Sequence, residues 1–261
     1  RTTELTAGGR GTVRLRGLPE GSGSLPPQPE VPVAHRSETG DNARQRGLGM
    51  ATLLAALFDY DGVLADTLAD MLGFARETCA EMSDPREPTA ADLDALEMMS
   101  FVDLGLRLGV PIDRAQEFAR RTMARFERRP AAPPIFPGMD MVVRDVAARC
   151  QVGIVTGNPA RAVLRFLGEH RLDACVDVLI AAEHPGTRSE KISAALAQLG
   201  RKPDEACLVG DAVSDVRACS EVGVRSIAVA WGHQSAARLA AAGADSMVNS
   251  PQELAELLRR I

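Results

Sequence analysis

The sequence has few aromatic residues and very few lysines. Of its 261 residues one is Trp, one is Tyr and seven are Phe, and Lys191 and Lys202 are the only lysines among 30 basic residues. Scarce aromatics leave little surface on which nucleic-acid bases could stack, and a formal net charge of -5 does not favour a polyanion. The composition therefore argues against nucleic acid as the main partner.

The chain also lacks paired cysteines and long apolar runs. Its five cysteines lie far apart without a C-x-x-C pair, which is typical of buried thiols in a reducing compartment and not of a disulfide framework or a zinc site. No apolar run approaches the roughly 18 residues that span a bilayer, and the first residues carry no signal pattern. We therefore expect a cytoplasmic protein without a membrane partner, either a monomer or a homodimer.

Residues 1–49 differ in composition from the rest of the chain. They are rich in Gly, Ser and Pro, notably at 21–24 and 26–29, and have almost no periodic apolar content. Such a segment cannot bury enough apolar surface to offset the entropy that ordering would cost. Because Met50 stands just before the first apolar run, we expect residues 1–49 to be a disordered or spurious N-terminal extension without a folded role.

From residue 50 onward, short apolar runs alternate with helical patterns. The runs predict strands at 53–58, 152–156, 178–181, 206–209, 226–230 and 246–248. The patterns between and after them predict helices at 139–149, 159–170, 190–199, 214–222 and 234–242, and a last helix from Ser250. This alternation, with strands apolar throughout, is typical of a parallel sheet with helices on both faces. The predicted fold is therefore α/β and Rossmann-like.

Residues 67–134 interrupt this alternation. Helical patterns at 69–82, 90–96, 102–108 and 114–128 come without a convincing strand, and several prolines then mark the return to the sheet. Ligands of open α/β sheets bind at the carboxyl ends of strands, and the insert follows directly after the first strand. We therefore predict a helical cap subdomain at 67–134, inserted into a core domain formed by 50–66 and 135–261.

Two aspartates stand where the first predicted strand ends. Asp59 and Asp61 follow the apolar run and precede Gly62. Side chains two residues apart on an extended backbone point the same way, and two carboxylates that close repel each other unless a divalent cation or a shared proton offsets them. A lone D-x-D is often only a solvated turn. The long apolar flanks favour instead a hard-metal site with a candidate nucleophile and a candidate acid or base.

The second predicted strand also ends in polar residues. Thr156 offers a hydroxyl, Gly157 lets the backbone approach a ligand, and Asn158 precedes a proline that suits the first turn of a helix. Backbone N–H groups at a helix start favour an anion such as phosphate. Many loops of this type look similar, so the motif is weak when taken alone.

The fourth predicted strand repeats the acidic theme. Asp211 follows Gly210 at the strand tip, and Asp215 lies four residues further on. Asp215 could serve only to stabilise a helix N-terminus. Asp211 has no such role, and it would complete a magnesium site with the first acid pair.

Lys191 is notable because the composition favours Arg so strongly. A lysine kept against that bias suggests that a compact point charge is needed where a planar guanidinium would not serve. The alternative is an exposed residue in the first turn of a helix, and Lys202 is interpreted as a solvated loop residue of that ordinary kind. Lys191 is therefore the candidate cation of the site.

Taken in order, these residues resemble the four motifs of the haloacid dehalogenase (HAD) superfamily. The matching segments are 59–67, 155–158, Lys191 and 210–215, and the resemblance covers about residues 52–260. It is strongest to the branch whose helical cap lies between the first and second motifs, the phosphoglycolate phosphatase-like hydrolases, which 231–233 (Trp-Gly-His) also resembles. Lys191 departs from the pattern because it lacks the Lys-Pro-x-Pro of many relatives.

The resemblance implies a mechanism. Asp59 would attack phosphorus and form an aspartyl-phosphate, and Asp61 would protonate the leaving alkoxide and later deprotonate the hydrolytic water. Mg²⁺ would be the cofactor, held by Asp59, the backbone carbonyl of Asp61 and Asp211. The residues that would bind the phosphoryl group are Thr156, Gly157, Asn158 and Lys191, with Asp215 in support.

The resemblance leaves alternatives open. A dehalogenase or a phosphonatase would lack the second carboxylate, so Asp61 argues against both. A sugar-phosphate mutase of the β-phosphoglucomutase type keeps both acids and is the main enzymatic alternative. A catalytically idle HAD-fold binding protein would have lost one of Asp59, Asp61 or Asp211, and all three are present. A dinucleotide-binding protein would carry G-x-G-x-x-G after the first strand, which is missing here.

The cap insert bears on the substrate. It is too short for a large second domain, so it should cover a small site and read a small phosphorylated metabolite, with 2-phosphoglycolate favoured by the Trp-Gly-His resemblance. The cap residues expected to pack inside the cap and not to line a pocket are Met98, Met99, Phe101 and Leu104. The candidates for meeting an anionic leaving group are Arg107, Arg114, Arg120 and Arg121, although most of them should face solvent.

Overall fold

The computed structural model of the protein describes residues 53–83 and 86–261, together with the backbone of Thr12–Arg14. Most of the predicted N-terminal extension, residues 1–49, therefore lies outside the described residues. Three residues of it depart from the expectation, because β1 (Thr12–Arg14) forms a short strand at the edge of the sheet. The dispensability of the whole segment stays a prediction.

The core is a seven-stranded sheet. After β1 its strands are β2 (Ala55–Phe58), β3 (Gln151–Val155), β4 (Val178–Ile180), β5 (Ala206–Gly210), β6 (Arg225–Val229) and β7 (Ser246–Val248). Their order is β1-β4-β3-β2-β5-β6-β7, and every pair is parallel except β1 with β4. The predicted α/β, Rossmann-like fold is confirmed, with one antiparallel edge strand that the sequence did not predict.

Helices occupy the intervals between the strands. In the described residues they are α1 (Leu68–Glu81), α2 (Ala90–Asp94), α3 (Phe101–Arg107), α4 (Ala115–Glu127), α5 (Met139–Ala147), α6 (Ala160–Glu169), α7 (Arg188–Leu199), α8 (Val213–Val222), α9 (Ala236–Ala241) and α10 (Pro251–Arg260). The predicted helices are all found, and their ends differ from the predicted ones by a few residues because helix ends depend on local capping.

Alternate residues of β2 face opposite layers of the core. Ala56 and Phe58 pack into a cluster with residues of α5, α6 and α10, whereas Ala55 and Leu57 pack into a second cluster with residues of α7 and α8. Successive side chains of a strand point to opposite faces of the sheet. Because both faces are covered by helices, β2 is apolar throughout and all four of its residues are buried.

The cap, helices α1 to α4, has an apolar cluster of its own. Its largest fully buried side chains include Leu93, Leu104 and Phe118, and α4 packs against both α1 and α3. The two chain segments that connect cap and core run side by side, since Asp66 N–H donates to the Pro134 carbonyl at 2.9 Å. This pairing lies at the predicted boundaries of the insert.

The sheet order places a crevice above β2. The chain passes from β2 to β3 on one side and reaches β5 on the other side, so neighbouring connections leave the strand ends in opposite directions. Such a reversal opens a ligand crevice at the carboxyl ends of parallel strands. The cap starts directly after β2 and therefore lies over this crevice.

Two smaller expectations can also be compared with the structure. The five cysteines are free, and all but Cys150 are buried, as expected for thiols that belong to the packing. No helix in the described part of the chain is long and apolar enough to cross a membrane.

Candidate active site

A cavity of about 610 Å³ lies between the carboxyl edge of the sheet and the cap. The structure brings every candidate site residue of the four motifs to its lining. These residues are Asp59, Asp61, Thr156, Gly157, Asn158, Lys191, Asp211 and Asp215. Their convergence follows from the sheet order, because the strands β2, β3 and β5 that present most of them are neighbours.

Three carboxylates meet at the floor of the cavity. One oxygen each of Asp59, Asp211 and Asp215 lies within 4.8 Å of the others, and the last two side chains are buried. Burial raises the pKa of Asp59 to about 8, against the lowering effect of Arg188, and the two other carboxylates add to the rise. Burial also raises the pKa of Asp215. The cluster is costly to keep ionised without positive charge beside it.

The donor set of this cluster fits a divalent cation. It consists of carboxylate oxygens, which are the ligands that Mg²⁺ prefers, and a bound cation would favour their ionised forms. The sequence analysis placed Asp215 in a supporting role, but the structure places its carboxylate within the cluster itself. The side chain of Asp61 is not part of it, and a role for the Asp61 carbonyl in metal binding stays a prediction.

Arg188 lies within the same cluster, and the sequence analysis missed it. Its Nη2 is 3.0 Å from Asp59 Oδ1 and its Nε is 2.8 Å from Asp215 Oδ1, while Nη1 donates to the Val155 carbonyl at 2.7 Å. Burial opposes the charge of Arg188, yet the two carboxylates raise its pKa above the ordinary value. In an arginine-rich chain the residue type carried no signal. Its position three residues before Lys191, on the same helix face, could have revealed it.

Lys191 lines the cavity from the first turn of α7. Its Nζ donates to the carbonyls of Thr156, at 3.1 Å, and Ala181, at 2.9 Å. Burial and the nearby Arg188 charge lower the pKa of Lys191. The ammonium has three N–H donors, of which these carbonyls take two.

A capping box sets the position of that first turn. Thr187 Oγ1 accepts from the Glu190 N–H at 3.3 Å, and Glu190 Oε2 accepts from the Thr187 N–H at 2.7 Å. Such reciprocal bonds stabilise a helix start. They hold Arg188 and Lys191 where both side chains can reach the end of β3.

Asp61 lies in a different environment from Asp59. Its Oδ2 accepts a hydrogen bond from Asn158 Nδ2, whose backbone N–H donates to Thr156 Oγ1 at 3.0 Å. The buried Oδ1 of Asp61 has no hydrogen-bond partner among the described residues. Burial raises the pKa of Asp61, which favours the protonated form that a general acid needs.

His233 completes the core side of the cavity. Its Nδ1 lies 2.9 Å from Asp211 Oδ2, and its backbone N–H donates to the same oxygen at 2.7 Å. Burial opposes the charged form, but Asp211 raises the pKa of His233 to about 9. Gly62 leaves room for this contact: its φ is +71°, and a Cβ there would lie 1.9 Å from Asp211 Oδ2.

The residue after His233 connects the core to the cap. The buried Gln234 accepts at Oε1 from the Val213 N–H at 2.6 Å, at the start of the helix that carries Asp215. Its Nε2 donates to the carbonyls of Asp94, at 2.9 Å, and Leu96, at 2.7 Å, in the cap. Gln234 therefore links the carboxylate cluster to the cap segment that precedes α3.

The cap wall of the cavity is mostly apolar. It includes Met71, Met98, Met99, Phe101, Val102, Met123 and Phe126. The expectation that Met98, Met99 and Phe101 only pack inside the cap was wrong, although Leu104 is fully buried there. The three residues stand before or at the start of α3, which Ser100 caps, and this end of the helix faces the cavity.

The described residues thus form a Rossmann-like α/β sheet, with paired acids after a central parallel strand and a helical insert over them. A family model for haloacid dehalogenase-like hydrolases matches residues 56–229, more than half of the chain. The chain therefore belongs to this family. The predicted resemblance to the phosphatase-like hydrolases of the superfamily is confirmed.

Three similar proteins match this chain over nearly their whole length. A phosphoglycolate phosphatase from Synechococcus elongatus is 25% identical over 209 residues, 79% of this chain and 98% of the relative. An N-acetylmuramic acid 6-phosphate phosphatase from Pseudomonas aeruginosa is 26% identical over 220 residues, 80% of this chain and 96% of the relative. The crystal structure of a predicted phosphatase from Clostridium acetobutylicum has a TM-score of 0.72 at 19% identity, covering 80% of this chain and all of that one.

Proposed function

We propose that this protein is a Mg²⁺-dependent phosphatase that hydrolyses the phosphate monoester of a small carboxylic acid through an aspartyl-phosphate on Asp59. The supporting observation is the contrast between the two acids that follow β2. Asp59 lies in one cluster with Arg188 and two further carboxylates, whereas Asp61 lies outside that cluster, accepts from the Asn158 amide and is near the charge of His233. Two acids in different environments suit a nucleophile and a proton donor.

The residues then have the following roles. The ionised Asp59 attacks phosphorus, the P–O bond to the leaving group breaks, and the alkoxide takes a proton from Asp61. Asp61, now ionised, accepts a proton from the water that hydrolyses the aspartyl-phosphate, which releases phosphate and restores both acids. Arg188 and Lys191 offset the charge of the phosphoryl oxygens. When bound among the carboxylates, Mg²⁺ would supply further positive charge, which reduces the repulsion between the Asp59 carboxylate and the phosphate ester.

The names of two of the curated relatives support the choice of substrate class. Phosphoglycolate and N-acetylmuramic acid 6-phosphate, the compounds in those names, are both phosphate esters of acids. We propose a phosphorylated acid for this chain as well, and 2-phosphoglycolate is the simplest one to test.

The experiment is release of inorganic phosphate from 2-phosphoglycolate and from p-nitrophenyl phosphate, in Mg²⁺ and in excess chelator. Asp59→Asn should lower turnover by more than ~1000-fold because the nucleophile is lost, while the melting temperature is kept. Asp66→Asn is the matched control, since Asp66 is an exposed acid in the same segment and does not line the cavity.

Two outcomes would contradict the proposal. Equal turnover in chelator would exclude the metal, and normal turnover by Asp59→Asn would exclude the nucleophile. A product that keeps its phosphate on another hydroxyl of a sugar substrate would identify the mutase alternative instead.

A further inference from the structure

One cap arginine differs from its neighbours in its contacts. Of the four cap arginines that the sequence singled out, Arg107 pairs with Asp92, and both Arg114 and Arg121 pair with Glu117. Arg120 is exposed, lines the cavity and has no ion-pair partner among the described residues. It is the one of the four whose charge is directed to the cavity and left without an acid.

Arg120 stands within a continuous cavity-facing stripe of α4. Gln116, Arg120 and Met123 all line the cavity, and residues three or four apart share one face of a helix. This face therefore presents a cation between a neutral amide and an apolar side chain. The opposite side of the cavity holds the carboxylates and the cations Arg188 and Lys191.

The rest of the cap wall is apolar and adaptable. Four methionines and two phenylalanines line it: Met71, Met98, Met99, Met123, Phe101 and Phe126. Methionine side chains adjust to irregular apolar shapes, and aromatic rings offer large apolar contact areas. A two-carbon acid such as glycolate would touch little of this surface and would leave most of the 610 Å³ to water.

We propose that the preferred leaving group combines a carboxylate, bound by Arg120, with an apolar body that packs against the apolar side chains of the cap wall. This inference rests on the phosphatase function proposed above and specifies its substrate class. The phosphate lies at the core side, where the catalytic acids are, and the carboxylate lies at α4. The body of the substrate spans the distance between them.

Four phosphate esters of alcohols separate the two features of the leaving group. Ethyl phosphate has neither feature, 2-phosphoglycolate has the carboxylate, benzyl phosphate has the apolar body, and para-carboxybenzyl phosphate has both. We expect kcat/KM to be highest for para-carboxybenzyl phosphate, at least tenfold above each ester that has one feature.

Two variants assign these effects to residues. Arg120→Gln should lower kcat/KM for the two esters that have a carboxylate at least tenfold more than for the two that lack one, because an ionic hydrogen bond is lost. Arg128→Gln is the control, since Arg128 ends the same helix, is exposed and does not line the cavity. Met98→Gln, at a site that is 55% exposed, should lower kcat/KM at least threefold more for the benzyl esters than for the other two.

The outcomes distinguish this inference from the function on which it rests. If none of the four esters nor p-nitrophenyl phosphate releases phosphate, the phosphatase proposal fails and this one with it. If the esters are hydrolysed but Arg120→Gln affects esters with and without a carboxylate equally, Arg120 does not bind the carboxylate. If 2-phosphoglycolate exceeds para-carboxybenzyl phosphate, the apolar body is not selected.

Discussion

The core side and the cap side of the cavity are built in opposite ways. On the core side, buried polar groups hold one another: Arg188 lies between two carboxylates, and His233 binds Asp211 through both ring and backbone. On the cap side, Met98 is 55% exposed and Arg120 has no acid partner among the described residues. The core side is therefore preorganised, and the cap side is adaptable.

This difference indicates where each kind of substitution should act. A preorganised polar site stabilises the same charges in every transition state, so its loss should lower turnover of all substrates alike. A change in the cap wall alters only contacts to the leaving group, so it should alter the ranking of substrates. The predictions below run from the largest expected effect to the smallest, and those on the core cations and on Gln234 test this separation.

The largest effects are expected from the two core cations. Lys191→Arg keeps the charge but changes its shape and reach, and it should lower kcat at least ~10-fold for every phosphate ester.

Arg188→Gln leaves Asp59 and Asp215 without their ion pair, and it should lower the free energy of unfolding by about 3 kcal/mol. Thermal melting in chelator and in Mg²⁺ is the measurement, and Mg²⁺ should restore part of the loss.

The outcomes for the cations separate their roles. Near-normal turnover by Lys191→Arg would return Lys191 to the interpretation of an ordinary helix residue and leave Arg188 as the phosphoryl cation. A loss that depends on the leaving group would contradict the separation of core and cap. Lys202→Arg is the control, because Lys202 does not line the cavity.

An intermediate effect is expected where the two sides are joined. Gln234→Leu removes the hydrogen bonds to the carbonyls of Asp94 and Leu96, of which the second still accepts from Arg238 Nη2, and a buried acceptor left unpaired costs about 1–3 kcal/mol. The cap should then be held less firmly, so kcat/KM should fall for all substrates, and amide hydrogen exchange in 90–97 should become faster. Gln252→Leu is the control, because Gln252 is exposed on α10. Unchanged hydrogen exchange in Gln234→Leu would show that Gln234 does not hold the cap.

The smallest effect is expected from the N-terminal extension. A chain that starts at Met50 should turn over substrate at the same rate, because residues 1–49 contribute nothing to the cavity lining in the described residues. Of the described structure it would lose the three-residue strand β1 at the edge of the sheet. A melting temperature lower by several degrees would show that this segment is not dispensable for stability.

Much of the fold was accessible from local signals in the sequence. The apolar run at 53–58 contains β2, whose four residues are all buried, and the helix predicted from Ser250 begins as expected, with Ser250 Oγ accepting from the Glu253 N–H at 3.2 Å. Buried parallel strands are continuous apolar runs, and caps are local contacts, so both can be recognised without knowing the rest of the chain. The acids Asp59 and Asp211 were found because they interrupt such runs at the strand ends.

The sequence by itself determined the sheet, the insert and the motif residues that share one edge. Only the tertiary structure decided which further side chains join them. Arg188 is one of many arginines, Gln234 carries no charge, and Met98 is of a type common in protein cores. Their residue types alone do not distinguish them from residues without a role. Their roles depend on which helix face and which loop the packing turns toward the cavity, and that choice is made by contacts between segments far apart in the chain.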